Sequence, residues 1–232
     1  MLLVEDDAAI QRFVRLALRD LPLSLTAVAT LAEARRAWSE GPFDLLLTDQ
    51  LLPDGQGLDL LAQWCPGVGG GRRAVLFTAG ATEALRAQAL AVGAWSVLDK
   101  PASLAALRTC VQRALAATPA PAAAPPTGSG EPRTAAIEAH FGGQAALFDA
   151  FRAASLQQFG ADIQAGDAAC GRADAPALLR LGHSLKTVLQ LIGATEAAQV
   201  ARALEHAAAG PAGADVLAMH WLALRSAVLA LD

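Results

Sequence analysis

Along the first half of the chain two hydrophobic rhythms alternate. Short apolar runs at residues 2–4, 45–47, 74–77 and 95–98 are separated by longer stretches whose apolar positions recur every three or four residues. Runs this short read as strands buried on both faces, and the stretches between them as crossover helices, which together predict a parallel sheet. Residues 24–28 supply a weaker fifth strand. Thr30 with Glu33 forms a capping-box pattern before the stretch 32–38, Gly93 ends the fourth helix, and Ser103 caps the fifth. The second half has one rhythm only: Ala- and Leu-rich segments with helical spacing, broken at Gly142 and Gly143, at 171–176 and at 210–213. That pattern predicts an all-α helical bundle.

Between the halves, residues 116–133 read AATPAPAAAPPTGSGEPR. Proline removes backbone donors and fixes φ, while Gly and Ser add freedom, so the segment reads as a linker. The predicted organisation is an α/β domain at 1–117, a linker at 118–133 and a helical bundle at 134–232. In polyproline form, at ~3.1 Å per residue, the linker could span on the order of 50 Å.

Composition narrows the functions. With 232 residues, 54% hydrophobic and 17% charged, the chain can bury the cores of two modest domains. A net charge of -4 leaves no basic stripe for neutralising phosphates, so nucleic acid is not expected as a partner. Cys65, Cys110 and Cys170 are odd in number and widely spaced, which suits neither a disulfide framework nor a zinc site. No basic leader or membrane-length apolar run occurs, which points to the cytoplasm without membrane insertion.

In a parallel sheet, functional groups gather at the carboxyl ends of the strands. Glu5 and Asp6 follow the first run, Asp49 the third, Thr78 the fourth and Lys100 the fifth. Crowded carboxylates repel unless a hard cation sits between them, and Mg²⁺ with oxygen ligands suits that need. Lys100 would add a point charge and Thr78 a hydroxyl for a phosphoryl group, leaving Asp49 as the nucleophile.

Glu5-Asp6, Asp49, Thr78 and Lys100-Pro101, with Pro53-Asp54-Gly55 after the acceptor, resemble response-regulator receiver domains over roughly residues 1 to 117. The resemblance implies a flavodoxin-like fold of five parallel strands, an acidic pair that binds Mg²⁺, phosphorylation of Asp49 from a histidine, and a metal ligand from the backbone carbonyl of Leu51. One position departs: the family has Tyr or Phe three residues before Lys-Pro, where this chain has Val97, with Trp95 as the neighbouring ring.

In the second half, Leu181-Gly182-His183-Ser184-Leu185-Lys186 runs on to Ile192-Gly193-Ala194. At about 100° per residue, Leu178, Leu181, Leu185, Val188, Leu189 and Ile192 share one face. His183 then points away from that face, with Lys186 one turn on and Leu179 and Thr187 bracketing it on an exposed strip. His183, Leu185, Lys186 and Gly193-Ala194 resemble the motif of histidine-containing phosphotransfer (HPt) domains, over roughly residues 134 to 232. That family commonly has Gly where Thr187 stands, and Glu205 falls on its following helix as a surface acid. His140, His206 and His220 lack the following Lys and read as structural or surface residues.

The two resemblances imply a two-component phosphorelay intermediate, not a multiple-turnover enzyme, whose partners are a sensor histidine kinase or a partner receiver. Two alternatives stand beside it. One is a phosphorylation-gated adaptor with an inert bundle. The other is a Mg²⁺-dependent phosphatase of the haloacid-dehalogenase type, which would need a second Asp where Leu51 stands. No nucleotide-binding region for a kinase is recognisable.

Overall fold

The computed structural model describes residues 1–65, 72–116 and 132–231. The chain divides into two compact units, residues 1–126 and 127–232. Residues 118–131 of the segment read as a linker lie outside the described residues; Pro132 and Arg133 open the first helix of the second unit.

In the first unit, β1 (Leu2–Val4), β3 (Leu45–Thr48), β6 (Arg73–Thr78) and β7 (Ser96–Asp99) join β2 (Thr26–Val28) in a sheet of order β2-β1-β3-β6-β7. Every pairing in it is parallel, as the apolar runs predict. The central strands β1 and β3 are buried along their whole length, which is why they read as runs of Leu and Val, closed in β3 by Thr48, instead of alternating. The weak run at 24–28 becomes the half-buried edge strand β2. A hairpin that periodicity does not reveal, β4 (Leu51–Leu52) with β5 (Gly55–Gln56), follows β3. Its strands are two residues long, too short for any alternation to register.

The crossovers are α1 (Ala8–Leu18), α2 (Leu31–Glu40), α3 (Gly57–Trp64) and α4 (Glu83–Ala91), and α5 (Leu104–Leu115) follows the last strand. Asp7, Thr30, Thr82 and Ser103 each cap a helix by accepting a backbone amide. One side of the sheet packs Leu2, Val4, Leu46, Ala74 and Leu76 against Leu60, Leu61 and Trp64 of α3 and Leu31 of α2. Val97 belongs to this core, so the position where the family carries its ring is here an aliphatic packing residue. Trp95 sits at the amino end of β7, its amide donating to Ala74 O at 2.7 Å, with the Arg73 guanidinium 5.6 Å from its ring. Four residues of strand at ~3.3 Å each separate it from Asp99 at the carboxyl end, so it is not a ring beside the acidic cluster.

The second unit contains α6 (Pro132–Phe141), α7 (Ala145–Gly171), α8 (Ala175–Leu191), α9 (Thr195–Ala209) and α10 (Ala214–Leu229). The breaks after α6, α7 and α9 fall at the expected positions 142–143, 171–176 and 210–213, and the break between α8 and α9 falls at Gly193. Gly142, Gly143 and Gly193 adopt positive φ, as helix-terminating glycines do. Asp174 caps α8 by accepting the Ala177 amide at 3.0 Å. Phe141, Phe148, Phe151, Leu178, Leu189, Leu204, Trp221 and Leu224 form the buried centre. Among the described residues no helix is long and apolar enough to cross a membrane.

Candidate functional site

Register brings the strand-end residues together. Val4 pairs with Thr48, which sets Glu5 level with Asp49 on adjacent strands, and Thr78 pairs with Asp99, one residue before Lys100. The Asp49 amide donates to Val4 O at 2.9 Å and the Lys100 amide to Thr78 O at 2.9 Å, so backbone bonds fix both residues at the carboxyl edge. Thr78 is buried at the end of β6. Leu51, two residues past Asp49, opens β4.

One carboxylate oxygen each from Glu5, Asp6 and Asp49 lie within 4.8 Å of one another. The Lys100 side chain is fully buried, its Nζ 2.5 Å from Glu5 Oε2 and 2.8 Å from Asp49 Oδ2. It also stands 5.1 Å from the centre of the Phe77 ring. One ammonium among three acids leaves a negative excess. Burial, then the charge of Asp49, pushes the Asp6 carboxyl up to about 6 against the pull of Lys100. Burial raises Glu5 well above the ordinary carboxylate range, although Lys100 opposes it. Burial lowers the Lys100 ammonium's proton affinity, but the charges of Asp49 and Glu5 outweigh this and raise its pKa. Such a donor set fits a divalent cation: oxygen-only ligands, close together, with Glu5 and Asp6 resisting ionisation until a second positive charge arrives.

Sequence reading missed a residue that shapes the acceptor. Gly57 starts α3 with its amide donating to Gln50 O at 3.0 Å. A Cβ built there would lie 2.0 Å from Asp49 O, inside any permissible contact. The signal available was a glycine eight residues after Asp49, without strand or helix pattern to mark it. Asp54, read only as part of a motif, accepts the Leu31 and Ala32 amides at 2.8 and 2.9 Å, pinning the β4–β5 turn to the start of α2. Burial pushes its carboxyl up, but these amide bonds outweigh it and hold it below the usual range.

The second unit corrects the helical-wheel reading of His183. The imidazole is not on an exposed strip: His183 is 3% exposed and Thr187 1%, while Lys186 is also buried. The stripe of leucines is only one of the covered faces of α8. Its opposite side meets α9, where Ala197, Ala198 and Ala201 are small and Gly182 lets the backbones close in. A Cβ at Gly182 would lie 3.0 Å from Glu205 N and 3.1 Å from Ala201 O. A wheel drawn for one helix cannot register a second helix that approaches this closely.

Glu205 is likewise not a surface acid. Its Oε1 lies 2.6 Å from His183 Nδ1, and its Oε2 accepts from Lys186 Nζ at 2.5 Å. Burial raises the Glu205 carboxyl, but hydrogen bonds from His183 and Lys186 outweigh it and lower its pKa, keeping it ionised. An ionised acceptor places the imidazole proton on Nδ1 and directs chemistry to Nε2. The Thr187 hydroxyl donates to His183 O at 3.4 Å. His206 is exposed, and His140 is buried on α6.

Residues 1–112 match the family model described as the response regulator receiver domain. The chain is 36% identical over 114 residues to the response regulator protein PilR of Pseudomonas aeruginosa, covering 49% of this chain and 25% of PilR. It is 31% identical over 125 residues to the DNA-binding transcriptional regulator NtrC of Azospirillum brasilense, covering 54% of this chain and 26% of NtrC. It thus spans about a quarter of the length of these curated relatives. A CheY-like response regulator receiver domain protein from Methanospirillum hungatei superposes with a TM-score of 0.46, at 26% identity over 50% of this chain and 92% of that one. The amino-terminal part of the chain, residues 1–112, is a response regulator receiver domain.

Proposed function

We propose that the chain is a cytoplasmic phosphorelay protein in which Asp49 accepts a phosphoryl group and His183 exchanges one with a receiver. The observation that carries it is the meeting of Asp49, Lys100, Glu5 and Asp6 at one sheet edge. Glu5, Asp6, Asp49 and the Leu51 carbonyl would hold Mg²⁺, which when bound offsets the charge of the incoming phosphoryl group.

An Asp49 carboxylate oxygen attacks the phosphorus of a phosphohistidine on a sensor kinase or a phosphotransfer domain. The O–P bond forms as the N–P bond breaks, and the imidazole keeps the electron pair and takes a proton from solvent. Lys100 turns donors from Asp49 to a phosphoryl oxygen, and Thr78 offers its hydroxyl to another. At His183, Nε2 attacks the phosphorus of a receiver's acyl phosphate, the O–P bond breaks with its electrons on the carboxylate, and Glu205 balances the charge left on the ring.

A second reading is favoured by the burial of His183, which denies a partner receiver a direct line to the ring in this conformation. There the bundle is an inert adaptor gated by Asp49. A phosphatase reading lacks its second acid, since Leu51 occupies that position. The test of the acceptor is labelling of the full chain with a small phosphodonor. A hydroxylamine-sensitive label that needs Mg²⁺ and vanishes in Asp49→Ala supports the proposal; label retained in Asp49→Ala or in chelator contradicts it.

A further inference from the structure

Helix α10 carries two apolar faces. Leu217, Trp221, Leu224 and Val228 are buried in the bundle. On the other side Val216, Met219, Leu222 and Leu229 are 42, 59, 57 and 47% exposed, with exposed Ala223 and Ser226 among them. At ~100° per residue these six positions span roughly 140°, centred opposite the buried four. Between residues 216 and 224 the helix has no Asp, Glu, Lys or Arg, so that stretch of the face is apolar; Ser226 interrupts the face toward its carboxyl end, and the exposed Asp215 borders it one residue before Val216.

The order of side-chain sizes along the stripe says what fits it. In an antiparallel pair of helices related by a two-fold axis through the point between Leu222 and Ala223, each layer joins one residue from each copy. Leu222 then shares a layer with the partner's Ala223, Met219 with the partner's Ser226, and Val216 with the partner's Leu229. The two central layers pair a large side chain with a small one, as interdigitation requires, and the outer layer is apolar on both sides. A parallel pair would instead stack Met219 on the partner's Met219 and leave Ala223 and Ser226 facing their own small equivalents.

We propose that the exposed face of α10 is a homodimer interface, occupied by α10 of a second copy of this chain in antiparallel orientation. Sixteen residues make a helix about 24 Å long. Two such helices bury on the order of 1,000 Å², near the lower limit for specific association, so the dimer is weak and concentration-dependent.

Sedimentation of the full chain from low micromolar to submillimolar concentration tests this. The expected result is a mass that rises from monomer toward dimer, and stays monomeric in Leu222→Glu and in Ser226→Arg with unchanged helix content. In a Cys170→Ser background, mild oxidation should link Ala223→Cys to itself. It should not link Val216→Cys, whose two-fold mates lie about 20 Å apart along the axis. A monomer at every concentration, dimerisation unaffected by both charged variants, efficient self-linking of Val216→Cys, or linking of Ala223→Cys only to the chain's own first unit would each overturn the proposal.

Discussion

Replacing Lys100 by Met removes the ammonium that faces Glu5 and Asp49 and keeps an unbranched apolar stem in its place. Both carboxylates and the Lys100 side chain are at most 1% exposed, so water cannot take over the lost contacts at 2.5 and 2.8 Å. Removing one partner of such a buried pair costs about 3–5 kcal/mol, because the remaining charge is left uncompensated. The pH dependence has a definite sign. Glu5 and Asp6 already have raised pKa values in the fold, so the native state binds protons more tightly than the unfolded one. Stability therefore falls as pH rises from the ordinary carboxylate range through about 6 for Asp6, and the variant steepens that fall. Mg²⁺ should restore much of the loss by supplying positive charge to the same oxygens. Urea unfolding followed by tryptophan fluorescence is the assay, since Trp38, Trp64 and Trp95 lie in the first unit and Trp221 in the second. At pH 7.5 without divalent cation the midpoint should drop by roughly 1 M or more, and the drop should shrink at pH 5 and with Mg²⁺. A midpoint equal to the parent's under all three conditions would refute the reasoning, since the cluster would then carry no charge for Lys100 to offset.

Three further outcomes follow from particular contacts. Gly57→Ala forces a Cβ to 2.0 Å from Asp49 O, so urea unfolding should show a loss of about 3 kcal/mol or more, with phosphodonor labelling lost alongside it. Gly182→Ala gains up to ~1 kcal/mol of helix propensity but presses on α9, so circular dichroism should show a folded bundle while labelling of His183 slows at least tenfold. His140 has its pKa lowered by burial, so the second unit should be fully stable above the ordinary histidine range and lose stability as pH falls through it. In His140→Phe the urea midpoint, read by far-ultraviolet circular dichroism, should lose that slope.

What could be read in advance depended on how local each cause was. The strands at 2–4 and 45–47 announce themselves because burial on both faces demands unbroken apolar runs, and the break at Gly142 and Gly143 because glycine meets positive φ cheaply. The acidic cluster was equally legible, since a parallel sheet sends every strand's last residue to the same edge. Two features depend instead on contacts between distant segments. Gly57 matters only because the hairpin returns α3 to Asp49 O, and Glu205 meets His183 only because Gly182 and the alanines of α9 allow two helices to touch. The wheel that turned His183 outward counted side chains of one helix, whereas its burial is set by another.

Exchange of phosphoryl groups by two residues of this chain stands or falls at His183. Full-length protein is incubated with a phosphorylated receiver in Mg²⁺, and the label is classified by acid and alkali stability in parent, Asp49→Ala, His183→Gln and Glu205→Ala. The expected result is an acid-labile, alkali-stable label that persists in Asp49→Ala, is absent from His183→Gln, and forms at least tenfold more slowly in Glu205→Ala, which loses the hold on Nδ1. No such label in the parent, across a panel of receivers that are themselves phosphorylated, would contradict it and leave the second unit as an adaptor.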